Sequence, residues 1–332
     1  MLGSADGQED LTVKHWGNTW GLVLAGGEGS RLHGLTRNGL GVVVPKQFCS
    51  LQGGASLLQE ALQRAATVAP LHQICTVVAK HHRQWWMPIM SYLPEENVIV
   101  QPQNRGTAYG LLLPLLRIAE RDPEATVVVL PADHYLRDEE IMVASLRRAA
   151  ALAAVDRDSI YLLGVQPDEP DTELGYIVPK SRPRDTPVGV ASFIEKPSAA
   201  RARMLLEQGA LWNAFILSAS VQALLSLFDG RYSAAMGAMR RTTGAAIESV
   251  YQNLSDSDFS RDVLEGKESS LQVLAVPPCG WTDLGTPKRI GLTLERLQDE
   301  DVGRTRRAIF PVNLNIADQY ARMLGDRERG CA

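Results

Sequence analysis

Cysteine is scarce and unpatterned in this 332-residue chain. Cys49, Cys75, Cys279 and Cys331 never form a Cys-x-x-Cys pair, which argues against a disulfide framework or a zinc ribbon and fits a reducing compartment. Long apolar runs are missing too. None approaches the ~20 residues of a spanning helix, and the opening "MLGSADGQEDLTVKHW" lacks the apolar stretch of a signal peptide. Charge of one sign is not in excess: a formal net charge of -4 gives no general drive toward nucleic acid or an anionic membrane. There is no internal repeat and no low-complexity tract. What these absences leave is an ordinary globular chain, expected in the cytoplasm, long enough for one large α/β domain or two domains.

What is present is alternation. From Trp20 onward, short runs rich in Val, Ile and Leu ("WGLVLAG", "QICTVVAK", "NVIVQP", "TVVVLPADH", "SIYLLGVQP") alternate with longer amphipathic segments. Buried strands separated by helices predict a doubly wound α/β core with a mostly parallel sheet. Residues 1–18 read as a flexible tail. Residues 19–290 read as the main domain, in halves 19–170 and 171–290. Residues 291–332 read as a short, mostly helical extension, with "RRAIFPVNLNI" a candidate extra strand. After Pro170, "LGYIVPKS" and "VGVASFIEKP" suggest a small antiparallel insertion beside the core. Pro114 in "LLLPLLR" is expected to bend its helix. "HHRQWWMPIM", basic and aromatic, reads as a half-buried helix face rather than a nucleic-acid patch.

The stretch "LAGGEGSRL" follows the first strand, so its glycines invite comparison with phosphate-binding loops. A dinucleotide loop needs a third glycine where Leu32 stands. A P-loop needs Gly-Lys-Ser/Thr, but Gly34 is followed by Leu35 and Thr36. A simple tight turn remains open. So does a nucleotide loop in which Gly26, Gly27 and Gly29 let backbone N–H groups approach phosphate and Arg31 adds a forked donor.

Downstream, "PKQF", "QPQNRGTA", "PADH", "PDTELGYI", "FIEKP", "WNAFI" and "GWTDLG" follow in order between residues 22 and 286. With "AGGEGSRL" this series resembles the sugar-1-phosphate nucleotidyltransferases, and among them the mannose-1-phosphate guanylyltransferases. The resemblance implies a Rossmann-like, GT-A-like fold. It also implies transfer of a nucleotidyl group from a nucleoside triphosphate to a sugar 1-phosphate, with release of pyrophosphate. GTP and mannose 1-phosphate are the implied substrates, giving GDP-mannose. Other pairs, such as glucose 1-phosphate with UTP or dTTP, stay open, as does a non-catalytic regulator that binds a nucleotide sugar. Neither nucleic acid nor membrane is an expected partner, and a homodimer is compatible with the sequence.

Such chemistry brings two anions together, so it calls for cations, backbone donors and metal-binding carboxylates rather than a nucleophilic side chain. By resemblance Arg31 and Lys46 serve the triphosphate, and Lys196 the sugar phosphate. Asp133 and Asp283 are the implied magnesium ligands, two hard oxygen donors of the kind that ion prefers. Asp133 would otherwise be a helix cap and Asp283 a turn residue. Glu195, Asn213 and the backbone at Gly175 are implied at the sugar; the alternatives are a strand-end ion pair of Glu195 with Lys196 and a satisfied buried amide. Gln101, Asn104, Arg105 and Thr107 are implied near the base and ribose, and Gly26, Gly27 and Gly29 complete the implied nucleotide-binding set. His134 is read as structural, and Tyr176 and Trp212 as packing. The chain departs from the family's pattern at His33-Gly34, where Trp-Pro is usual, at the lengthened "NGLGVVV" stretch, and at Ala214-Phe215. The C-terminal left-handed β-helix of some relatives is not expected.

Overall fold

A run such as Thr126–Pro131, buried at all six residues, is stable as a strand only within a sheet covered on both faces. The computed structural model describes residues 17–51, 53–183, 185–242, 244–299 and 316. Its strands are β1 (Thr19–Ala25), β2 (Ile74–Ala79), β3 (Val98–Gln101), β4 (Thr126–Pro131), β5 (Ile160–Val165), β6 (Tyr176–Pro179), β7 (Val188–Ile194), β8 (Leu211–Ser220) and β9 (Leu271–Val276). They form one nine-stranded sheet in the order β3-β2-β1-β4-β8-β5-β9-β7-β6.

The first four neighbours are parallel, with Gly21 opposite Ile74 and Thr19 opposite Thr126. The rest corrects the expectation of a mostly parallel sheet. β8 runs antiparallel to both β4 and β5 at the centre, and β6 and β7 pair antiparallel with each other and with β8 and β9. The sheet is mixed. A central strand buried on both faces has the same continuous apolar composition in either direction, so "LWNAFILSAS" gives no sign of its polarity. Nor is the antiparallel section a separate insertion: β6 and β7 continue the same sheet to its edge.

The helices are α1 (Leu57–Ala65), α2 (Arg83–Met90), α3 (Thr107–Arg121), α4 (Glu139–Val155), α5 (Ala199–Glu207), α6 (Val221–Ser226), α7 (Ser233–Arg240), α8 (Ile247–Gln252) and α9 (Pro287–Asp299). Side chains of α1, α2, α4, α5 and α9 pack on one face of the sheet, and those of α3, α6, α7 and α8 on the other. Strand alternation feeds both cores: Val23 and Ala25 face the first, Trp20 and Leu22 the second. A capping box starts α1, the Ser56 hydroxyl accepting from Gln59 N while Gln59 Oε1 accepts from Ser56 N (3.3 and 2.8 Å). α3 continues through Pro114, and α2 buries Trp86, Ile89 and Met90 while leaving Arg83 exposed, the half-buried face expected of it.

Cys49, Cys75 and Cys279 are buried free thiols, the first two pushed up to about 12 chiefly by burial. Among the described residues no helix is long and apolar enough to cross a membrane. Most of the expected N-terminal tail and most of the C-terminal extension, including nearly all of "RRAIFPVNLNI", lie outside the described residues. Ile316 is the exception, fully buried with its N–H donating to the Ser50 carbonyl (2.8 Å).

Candidate active site

Because β1, β2, β3 and β4 are parallel, the loops after them leave from one edge, where open α/β sheets place ligands. A cleft of about 380 Å³ opens there and extends over the ends of β6, β7 and β8. The glycine turn after β1 needs its glycines for distinct reasons. A Cβ on Gly26 would stand 2.9 Å from Gln101 Oε1, and Gly29 adopts φ +62° directly against Lys46. Gln47 fixes the turn by donating from Nε2 to the Ala25 and Gly27 carbonyls (both 2.9 Å). Arg31 extends from the short turn Ser30–Leu32 and donates to Glu173 Oε2 across the cleft (2.6 Å). The lengthened stretch forms a small projecting loop, where Asn38 Oδ1 accepts from Leu40 N and Val42 N and Leu40 lies open to solvent.

Lys46 sits beneath the cleft, buried, with Nζ 2.8 Å from Asp133 Oδ2 and donating to the Asp283 carbonyl (2.6 Å). It therefore ties the end of β4 to the loop after β9. Desolvation would raise the Asp133 carboxyl, but Lys46 and His134 outweigh it and hold the group below its usual range. Asp283 is likewise held low: burial opposes ionisation, and Arg289, His134 and Lys46 overcome it. Arg289, in the first turn of α9, bridges Asp283 Oδ1 and Asp171 Oδ2, and all three side chains are largely enclosed. His134, which also lines the cleft, is driven down to about 4, mainly by burial, and its Nδ1 accepts from Trp281 Nε1 (3.2 Å).

At the other end of the cleft, Gly175 packs against Glu195 so closely that a Cβ would meet Glu195 Oε2 at 2.5 Å. Glu195 is pushed up to about 7, first by burial and then by Asp258, with Lys196 opposing. Lys196 Nζ lies 3.8 Å from Glu195 Oε1 and remains about half exposed. Asn213, buried, donates from its N–H to the Gly175 carbonyl (2.8 Å) and accepts at Oδ1 from Phe215 N (3.1 Å). Among the described residues only Lys196, Phe215 and Leu284 have positive φ without being glycine, and each adjoins or is itself a candidate residue. Backbone strain of this kind collects at functional sites.

The cleft lining thus includes Gly26, Gly27 and Arg31 from the first loop, Gln101 at the end of β3, Asn104 from the loop after it and Thr107 at the start of α3. It also includes Asp133, Gly175, Glu195, Lys196, Asn213 and Asp283. Three expected residues stand differently. Gly29 and Lys46 support the lining from below. Arg105 faces away, donating from Nε to the Tyr251 carbonyl (3.0 Å) and from Nη2 to Gln103 Oε1 (3.0 Å). Gln101 donates to the Tyr251 hydroxyl (3.1 Å), and Thr107 Oγ1 donates to Asp258 Oδ2 (3.3 Å). Tyr176 and Trp212 are buried, as packing residues should be. Glu173, Asp258 and Arg289 are additions that only the fold brings to the site. Glu173 lies inside "PDTELGYI" and could have been suspected from its charge; nothing around Asp258 or Arg289 marks them in the linear sequence.

The family described as Nucleotidyl transferase matches this chain over residues 20–299. The chain is 30% identical to the alginate biosynthesis protein AlgA of Pseudomonas syringae pv. tomato over 282 residues, covering 80% of this chain and 56% of that protein. It is 34% identical over 207 residues to the mannose-1-phosphate guanylyltransferase of Escherichia coli K12, covering 58% of this chain and 41% of that protein. The chain therefore spans about half the length of the curated relatives it matches. Among solved structures, a Thermus thermophilus protein described as a mannose-1-phosphate geranyltransferase superposes with a TM-score of 0.73 at 29% identity, covering 86% of this chain and 80% of that one. With the glycine turn, the cationic floor and the ordered motifs all on one cleft, the chain belongs to the nucleotidyl transferase family.

Proposed function

We propose that this chain transfers a nucleotidyl group from a nucleoside triphosphate to a sugar 1-phosphate, with GTP and mannose 1-phosphate as the pair. The observation that carries the reading is the polarity of the cleft. One end has the glycine turn, Arg31, Lys46 and two ionised aspartates; the other has Glu195, Lys196 and Asn213. A phosphate oxygen of the sugar phosphate attacks the α-phosphorus in line. As that P–O bond forms, the bond to the β-phosphate oxygen breaks and pyrophosphate leaves. Arg31 neutralises charge on the triphosphate, Lys196 holds the attacking phosphate, and Glu195 and Asn213 orient sugar hydroxyls. The choice of guanine and mannose rests on similarity to the protein named mannose-1-phosphate guanylyltransferase.

Asp133 and Asp283 suit magnesium as ionised hard-oxygen donors on one cleft, and a bound magnesium ion would neutralise triphosphate charge there. Lys46 already contacts both residues and would keep Asp133 oriented.

A second reading, binding a nucleotide sugar without turnover, draws on two contacts: Arg31 is engaged by Glu173, and Asp283 by Arg289. One experiment separates the readings. Purified protein with magnesium, each nucleoside triphosphate and a panel of sugar 1-phosphates is assayed for pyrophosphate release. Release with GTP and mannose 1-phosphate is expected. Release only with UTP or dTTP replaces the guanine assignment, and silence with retained nucleotide-sugar binding supports the second reading.

A further inference from the structure

Parallel pairing of β1 with β2 sets Ala25 opposite Val78, so the turns after both strands leave the sheet side by side. Glu28 lies in the first turn, between Gly27 and Gly29. His81 and His82 lie in the second, the short helix Lys80–His82 that leads into α2. This brings one carboxylate and two imidazoles together outside the cleft lining. His81 Nε2 is 3.0 Å from Glu28 Oε1 and 3.2 Å from Oε2. His82 Nε2 is 3.4 Å from Glu28 Oε2, and the three ligating atoms all lie within 4.8 Å of one another.

A simple hydrogen-bonded cluster accounts for only part of this. His82 is 5% exposed, its Nδ1 has no hydrogen-bond partner, and its Nε2 reaches the Glu28 carboxylate only at 3.4 Å. That is longer than an ordinary N–H···O bond. The buried ring turns Nε2, held only by this long contact, toward the point that Glu28 and His81 also address, while Nδ1 takes no part in the cluster. The spacing has a direct chemical reading. In a tetrahedral site with zinc–nitrogen and zinc–oxygen bonds of about 2.0–2.1 Å, neighbouring ligand atoms stand roughly 3.3–3.4 Å apart. The observed carboxylate–imidazole separations of 3.0 and 3.4 Å bracket that value.

We propose that Glu28, His81 and His82 form a binding site for one zinc-class divalent cation. Two imidazole nitrogens with a single carboxylate select a borderline transition metal over magnesium, which favours all-oxygen sites. His81 and Glu28 are about half exposed, so the remaining coordination position faces solvent and takes water. Such an ion would clamp the glycine turn to the β2–α2 connection. It is distinct from the Asp133 and Asp283 pair, and its binding does not depend on the proposed transferase activity.

The test is a zinc titration of chelator-treated protein against a chromogenic competitor, with magnesium in large excess. Cobalt(II) replaces zinc in a parallel experiment, to read coordination from its visible absorption. The expected result is one zinc per chain, undisturbed by magnesium, with cobalt bands of a four-coordinate N/O site. His81→Ala and Glu28→Gln, both at half-exposed positions, should weaken binding by more than the ~10–100-fold that loss of an outer-sphere partner costs. His72→Ala, on the separate turn Leu71–Gln73, should bind as the parent does. Melting curves confirm that the variants are folded. Absence of stoichiometric zinc from the parent, or parent-like affinity in both His81→Ala and Glu28→Gln, would overturn the site. So would binding that disappears only when the cysteines are alkylated.

Discussion

Glu195 carries the sharpest single-residue consequence. Its carboxyl titrates near 7 in the folded chain, against 4.5 for the free group, because burial and Asp258 disfavour the charge. Below 4.5 the group is neutral in both states and exacts no penalty. As pH rises from 4.5 through 7 the unfolded chain ionises this group while the fold resists, so stability falls, by about 3 kcal/mol in full above 7. Glu195→Gln should therefore melt higher than the parent at pH 8, with the difference shrinking toward pH 5. Equal melting points at both pH values would remove the basis for that penalty. Arg31 and Glu173 make a complementary pair of predictions. Arg31→Ala should lower turnover by ~10²–10³, the usual loss for one transition-state contact, and Lys46→Ala should lower it by releasing Asp133. Glu173→Gln should lower the KM for the triphosphate, because it frees Arg31 from a competing carboxylate. Steady-state kinetics on the three variants reads both effects.

At the level of elements, the start of α3 and the start of α9 hold the site together. Gly106 precedes α3 with φ +83°, and a Cβ there would stand 2.1 Å from the Ser257 carbonyl oxygen. Gly106→Ala should cost about 2–5 kcal/mol through strain and overpacking. Gly34→Ala, with nothing within 4 Å, should be close to neutral in the same denaturation experiment. Arg289 in α9 separates two enclosed carboxylates, Asp171 and Asp283, which would otherwise face each other unneutralised. Arg289→Ala should cost about 3–5 kcal/mol, the usual penalty for breaking a buried ion pair. It should also reduce kcat, with Arg289→Lys restoring part of both. Loss of stability without loss of kcat would restrict Arg289 to the fold.

Across the whole molecule, one contact links a distant part of the chain to the nucleotide half. Ile316 is fully buried and bonds to Ser50, far from it in sequence. Ile316→Ala should lower stability by about 2–5 kcal/mol, as large-to-small core substitutions do, and a denaturant titration measures it. In "RRAIFPVNLNI" Ile316 ends the alternation Val312-Asn313-Leu314-Asn315-Ile316, a local pattern that does not say against which distant residue it packs.

Much of the molecule is nonetheless readable from the chain alone. Continuous apolar runs such as "TVVVLP" read as buried strands, because they are rich in β-branched residues and too short for a buried helix. The ordered motifs, each weak alone, suffice to identify the family and to nominate the residues that line its cleft. Three-dimensional folding decided what short-range pattern cannot carry. The direction of β8 came from its two neighbours, and the membership of β6 and β7 in the main sheet from long-range pairing. Arg105 turned to brace the Tyr251 segment, and Lys46 settled beneath Asp133 and Asp283. Glu28 met His81 and His82 only because β1 and β2 are parallel neighbours. Charge partners are chosen by distance in space, and distance in space is set by sheet order, which no local stretch of sequence contains.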